Sequence, residues 1–145
     1  MRAVIQRVKS ASVKVNNETV GSINKGYLIY LGVNKTDNRE IALKMAHKII
    51  NLRVFPDENE KLNLNILDHQ GSILLVSQFT LYGDTKKGNR PSFFEAALPD
   101  FANELYLEVY NELKKHLHIE KGVFQEYMDV HSINDGPVTI IMEID

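Results

Sequence analysis

The chain has 145 residues, 43% hydrophobic and 25% charged, the balance of one ordinary globular domain, which excludes disordered and fibrous classes. A formal net charge of −2 advertises no nucleic-acid partner globally, although a local basic loop can hold a phosphate on a mildly acidic chain. The absence of cysteine removes disulfides, thiolate metal sites, iron–sulfur clusters and cysteine nucleophiles together.

The first residues, Met1-Arg2-Ala3-Val4-Ile5-Gln6-Arg7-Val8-Lys9, alternate charged with apolar side chains and hold no apolar signal core. The longest apolar run, residues 27–31, is too short to span a bilayer, so the expectation is a cytoplasmic protein with no membrane partner. Residues 2–15 carry β-branched positions around a polar break at Lys9-Ser10, and Asn16-Asn17 signals a turn into residues 19–23, a hairpin or meander. Residues 27–33 are apolar at both parities, as a strand buried on two faces should be.

Asp37-x-x-Glu40 has the form of a capping box, followed at helical spacing by Ile41, Met45, Ile49 and Leu52. Val54-Phe55 resumes an extended segment, residues 56–61 form a polar loop, and residues 68–71 turn into a strand over 72–79. Residues 82–91 read as a loop rich in Gly, Asp, Lys and Arg. A second helix starts near Pro99-Asp100, carries Phe101, Leu105, Val109, Leu113 and Leu117 as a core stripe, and stops at Gly122. Residues 123–131 and 138–144 are read as two further strands joined by a turn over 132–137. The order predicts a mixed α/β domain with its helices on one side of a sheet.

Several chemistries are absent by inspection, including the nucleophile elbow, the dinucleotide fingerprint, the P-loop and the zinc-protease helix. His116-Leu117-His118 reads as a solvated helix end rather than a metal site. Asp57-x-Asn59 opens like a calcium loop, but Leu62 stands where the sharp turn needs glycine, so no metal site is expected.

Three segments admit a functional reading beside a plain one. At Ser77-Gln78-Phe79-Thr80 a strand either enters solvent or offers its terminal N–H groups as oxyanion donors, with Gln78 and Thr80 orienting a substrate. Asn134-Asp135-Gly136-Pro137-Val138-Thr139 is either a simple turn or a fixed pair of carbonyl acceptors suited to an ammonium group. The segment 84–93 is either a solvated loop or brings Lys86, Lys87 and Arg90 to phosphates.

Together, Ser77-Gln78-Phe79-Thr80-Leu81, Lys87-Gly88-Asn89-Arg90-Pro91-Ser92-Phe93 and Asn134-Asp135-Gly136-Pro137-Val138-Thr139 closely resemble the D-aminoacyl-tRNA deacylases. Ile5-Gln6-Arg7-Val8 with Ala11-Ser12-Val13, and Asn63-Leu64-Asn65, are similar to that family too, so the resemblance spans the chain. It implies one three-layer α/β/β domain over residues 1–145 with two main helices on one side, and a homodimer with its sites at the subunit interface. The implied reaction is hydrolysis of the ester joining a D-amino acid, or glycine, to the 3′ end of tRNA, without a cofactor.

By the same resemblance, Gly136-Pro137 corresponds to a Gly-cisPro element that reaches into the neighbouring subunit's site, holds the substrate amino group and rejects L side chains. Ser77, Gln78, Phe79 and Thr80 form the other wall, and Lys86, Lys87 and Arg90 are the expected tRNA contacts. An aminoacyl ester is already activated, so positioning and a polarised carbonyl suffice, with help from the ribose 2′-hydroxyl. Thr80 as nucleophile is the alternative to Thr80 as orienting group. A binding module without catalysis and a small interaction protein are the rival classes.

Overall fold

A computed structural model describes all residues 1–145. The strands are β1 (Arg2–Val15), β2 (Glu18–Ile23), β3 (Gly26–Gly32), β4 (Phe55–Pro56), β5 (Leu62–Leu64), β6 (Ser72–Ser77), β7 (Ile119–Lys121) and β8 (Asp129–Glu143); the helices are α1 (Arg39–Asn51) and α2 (Pro99–Lys114). The main sheet runs β2-β1-β3-β6-β7 with β8 on β1, and β4-β5 form a separate ribbon. The 14-residue β1 organises this sheet. Its first half pairs with β3 and its second with β2, while β8 runs antiparallel along its other edge from end to end.

The period of two along β3 and β6 sorts their apolar residues onto two faces. Tyr27, Ile29, Leu31, Ile73 and Leu75 join Ala42, Met45, Ala46 and Ile49 of α1 and Leu105, Val109 and Leu113 of α2 in the larger core. Leu28, Leu74 and Val76 point the other way, into a smaller core with Val8, Ala11, Val13 and Ile23. Helices, sheet, and the outer half of β1 with β2 therefore make the three expected layers. Gly26 lets β3 and β6 start side by side: at φ +150° an added Cβ would fall 1.8 Å from Ser72 O. No helix is long and apolar enough to cross a membrane.

Four local expectations need correction. The N-cap of α1 is Asn38, whose side chain accepts from Ile41 N–H at 3.0 Å, and Glu40 instead pairs with Lys44. Asp37 is buried, its carboxylate taking the Met1 amino group at 2.7 Å and Asn34 N–H at 2.7 Å. The second helix ends at Lys114 rather than Gly122, because Ile119 finds a parallel partner in Ile73 and closes the sheet as β7. At the other end of that helix Phe101 is exposed, so the buried stripe begins at Leu105.

The strand expected over 72–79 stops at Ser77, and residues 79–82 form a single 3-10 turn. The largest departure is at the C-terminus. Residues 123–128 are not a strand, and 132–137 are no inter-strand turn, because β8 is continuous from Asp129 to Glu143. An edge as long as that of β1 supplies hydrogen-bond partners on both sides of the Gly-Pro pair, so the pair interrupts the strand without ending it.

Candidate active site

The 3-10 turn that follows β6 leaves two backbone donors free. Its own hydrogen bonds begin with Leu81 N–H on Gln78 O at 3.3 Å, so the N–H groups of Phe79 and Thr80 stand outside the turn's ladder. Gln78 N–H is spent on Leu31 O at 2.8 Å, which ties the turn to β3. Gln78 Nε2 donates to Thr80 Oγ1, holding the two polar side chains together beside the free donors. Gly32 lets the turn lie this close to β3, since a Cβ there would meet Gln78 O at 3.0 Å. The Phe79 ring is exposed and packs edge-on against Phe93 at 5.0 Å.

After the turn, Asp84 and Ser92 exchange two backbone hydrogen bonds, 2.8 and 2.9 Å, which pinch residues 84–92 into a closed loop. Lys86, Lys87 and Arg90 are all exposed on it, and none is paired with a carboxylate. A cavity of about 560 Å³ opens between this loop and Tyr82 and Phe94.

The second element is an extrusion from β8. Gln6 pairs with Thr139 and Val8 with Asn134, so two steps along β1 face five along β8 and three residues of β8 bulge out. The bulge carries the Gly136–Pro137 bond, which is cis, and Gly136 sits at φ +126° with Val138 and Arg7 against the place a side chain would occupy. Asn134 brackets the bulge, its Oδ1 accepting Val138 N–H at 3.1 Å and its Nδ2 donating to Thr139 Oγ1 at 3.0 Å.

Arg7 braces it from beneath. Its guanidinium is nearly buried and donates to Asp135 O at 3.2 Å through Nε and to Val54 O at 2.6 Å through Nη1. The Asp135 carboxylate lies 3.4 Å from the same Nε. Sequence reasoning placed Arg7 only within a family motif and gave it no role. The signal was present: Ala3, Ile5 and Arg7 share one parity of β1, so a charged side chain occupies an inward position and must find polar partners there.

The two elements do not meet within one protomer. Arg7, beside the bulge, is level with Tyr27 and hence with Ile73, whereas the catalytic candidates begin at Ser77, four residues further along β6. Three strand spacings also separate β8 from β6, so strand geometry puts the two on the order of 20 Å apart. The five histidines serve elsewhere. His47 and His116 face Glu112, His118 faces Glu120, His69 stacks on Phe55 and His131 pairs with Ser12. The turn therefore has free N–H donors and a hydroxyl but no imidazole base.

Residues 4–143 match the family described as D-Tyr-tRNA(Tyr) deacylase. The chain belongs to that family. Membership makes it an enzyme, a hydrolase of the deacylase class. The D-aminoacyl-tRNA deacylase of Thermosipho africanus (strain TCF52B) is 55% identical over 144 residues, covering 99% of this chain and 97% of that one. The solved structure of a "c-Myc DNA Unwinding Element Binding Protein" is similar at a TM-score of 0.93 and 42% identity, covering 99% of this chain and 98% of its own. A probable eukaryotic D-amino acid tRNA deacylase, 15% identical, shares the fold at a TM-score of 0.84 over 97% of both chains.

Proposed function

We propose that the chain hydrolyses the ester joining a D-amino acid, or glycine, to the 3′ end of tRNA, acting as a homodimer in the cytoplasm with all of residues 1–145 as one deacylase domain. In each site the N–H groups of Phe79 and Thr80 receive the oxyanion, and Thr80 orients the ester through its contact with Gln78 at the end of the strand that Ser77 closes. The Gly136–Pro137 carbonyls of the second copy hold the substrate ammonium. Water attacks the carbonyl carbon, the bond to the ribose 3′ oxygen breaks, and the 2′-hydroxyl passes its proton to that leaving oxygen while its own oxygen takes the proton the attacking water gives up. Lys86, Lys87 and Arg90 meet backbone phosphates. Neither a cofactor nor a metal takes part.

The observation that carries this reading is the separation of the two elements in a chain of this family. Free oxyanion donors and a rigid pair of carbonyls about 20 Å apart can share one substrate only if a second copy brings its bulge to the first copy's turn. Chirality follows from steric logic. With ammonium and ester carbonyl both fixed, the α-hydrogen and side chain exchange places between enantiomers, and a wall beside one of those places admits D residues and glycine but not L residues.

The test is release of amino acid from matched D-Tyr-tRNA and L-Tyr-tRNA. D hydrolysis with L untouched is expected; equal cleavage would remove the chiral pocket, and cleavage of neither would remove the enzyme reading. Mixed dimers read the shared site directly. Thr80→Pro, which lacks one oxyanion donor and should lose about 10²–10³ in kcat, is combined with Gly136→Val. If sites are shared across the interface, each mixed dimer regains one intact site; without sharing the mixture stays inactive. Thr80→Val separates the two roles of the hydroxyl, since near-normal turnover would end the nucleophile version.

A second reading, a nucleic-acid-binding module without catalysis, draws on the basic loop and on the name of the 42%-identical relative. It predicts salt-sensitive tRNA binding with no ester cleavage.

A further inference from the structure

The cavity beside the 84–92 loop has a composition that phosphate contacts alone do not call for. Lys87 and Arg90 stand on its rim, but Asp84 and Glu95 line it as well, together with Tyr82 and Phe94. Carboxylates repel phosphate; Asp84 Oδ1 accepts Lys86 N–H at 2.9 Å and Glu95 Oε1 lies 3.6 Å from Lys35 Nζ, and each carboxylate keeps lone pairs for a further donor. They accept from amino groups, and among nucleic-acid bases those are the exocyclic N–H₂ groups of cytosine, adenine and guanine, which uracil lacks.

The aromatic residues differ in availability. Tyr82 is buried and carries the Arg2 guanidinium over its ring at 4.6 Å. Phe94 is 76% exposed, with Lys35 Nζ on one face 3.3 Å from the ring centroid and within 3.6 Å of Glu95 Oε1. Lys35 thus backs the ring and anchors the carboxylate, leaving one flat face for a base to stack on. At about 560 Å³ the cavity is in the size range of small-ligand sites. It also adjoins the reaction centre: Tyr82 ends the same 3-10 turn whose first residues are Phe79 and Thr80.

We propose that this cavity is a base-reading subsite for the single-stranded nucleotide preceding the aminoacylated one. The base stacks on Phe94, its amino group donates to Glu95 or Asp84, and Lys87 and Arg90 hold the flanking phosphates. A paired stem cannot use the site, because its bases are already stacked and their edges covered. In tRNA the nucleotide before the terminal adenosine is a cytidine, which carries the required amino group. The proposal rests on the deacylase reading above and adds to it a recognition step independent of the chiral pocket.

The experiment compares kcat/KM for D-Tyr esterified to adenosine alone with that for D-Tyr esterified to the trinucleotide CCA. The wild type should favour the trinucleotide ester at least tenfold, through KM, and Phe94→Ala should bring the ratio of the two values close to one. Replacing the middle cytidine by uridine should lower kcat/KM in the wild type and make no difference in Glu95→Gln. A ratio that Phe94→Ala leaves unchanged, or a uridine penalty that survives Glu95→Gln, would overturn the subsite.

Binding of the unesterified CCA trinucleotide, followed by fluorescence anisotropy, reads the subsite without chemistry. Tenfold weaker binding by Phe94→Ala supports it, and equal binding refutes it. Hydrolysis of the adenosine ester without any length dependence would sink the subsite and keep the deacylase. Trinucleotide binding with neither ester cleaved would do the reverse.

Discussion

The brace beneath the bulge can be broken at one side chain. Arg7→Met keeps much of the stem volume but removes the donors to Val54 O and Asp135 O, which lie 47 residues down the chain and 128 residues down the chain respectively. A hydrogen bond involving a charged group is worth about 1.5–3 kcal/mol net. The Val54 bond is buried and counts in full, whereas the Asp135 carboxylate is 41% exposed and its ion pair is discounted for screening. The expected loss is about 3–5 kcal/mol, a large share of a typical domain's stability. For a chain of this size that lowers Tm by about 10–15 °C. Arg7→Lys keeps the charge but cannot fork between two carbonyls, so it should fall between Arg7→Met and the wild type.

Thermal unfolding followed by circular dichroism gives the stability, and hydrolysis of D- and L-Tyr-tRNA gives the discrimination. If Arg7 positions the bulge, Arg7→Lys should lower the D/L ratio further than its modest Tm loss would suggest, because the carbonyls then sample more than one position. A Tm for Arg7→Met within 2 °C of the wild type would refute the reasoning, since water would then satisfy both carbonyls as well as the guanidinium does.

Three other perturbations test the frame around the site. Gly26→Ala puts a Cβ against Ser72 O at a φ of +150° and should cost at least about 3 kcal/mol, seen as aggregation or a Tm loss near 10 °C, while Gly88→Ala, with nothing within 4 Å, should stay within about 0.5 kcal/mol. Asp37→Asn leaves the buried Met1 amino group without its counter-charge and should cost about 3–5 kcal/mol in urea unfolding; a loss below 1 kcal/mol would mean that solvent reaches the pair. Burial, then the charges of Lys25 and Arg7, hold the His69 imidazole below its ordinary range, so protonation favours the unfolded chain. Stability should therefore be unaffected by this group above about pH 6.5 and fall as the pH drops below it. His69→Phe, which keeps a ring on Phe55, should flatten that decline between pH 7.5 and 5.5, and an unchanged slope would acquit His69.

What could be read from the chain depended on whether local pattern and tertiary context agreed. β3 is legible because its apolar run serves two cores and no neighbour contradicts it. β7 is not, because Ile119-Glu120-Lys121 carries no strand pattern of its own and becomes a strand only by lying beside β6. The helix cap moved by one residue because Asp37 has a stronger use for its carboxylate, the positive charge of the Met1 amino group just before β1. The Gly-Pro pair reads locally as a turn between strands. That it sits inside one strand follows only from the length of β1, a property of the partner and not of the segment. The candidate residues of the turn, loop and bulge were legible as motifs, but the distance between them was not, because register is set by pairings that no single segment encodes.

Both halves of the proposed site are main-chain groups at interruptions of otherwise regular pairing: a turn that ends β6 and a bulge that swells β8. Such groups are held by the ladders on either side, which position them more tightly than a side chain with several rotatable bonds could be held. It follows that the residues best placed to disturb the chemistry are those that set the backbone. Gly32 allows the turn its close approach, Gly136 accepts a φ that side chains rarely adopt, and Arg7 and Asn134 pin the bulge by its carbonyl and its N–H. Ser77 and Gln78 can change side chain and leave the N–H groups of Phe79 and Thr80 where they are. On the proposed reading, an enzyme built this way hides its machinery from any search for catalytic side chains. On the function proposed above, the same construction serves to reject one enantiomer: a wall of backbone, braced from below, does not yield to the wrong substrate as a flexible side chain would.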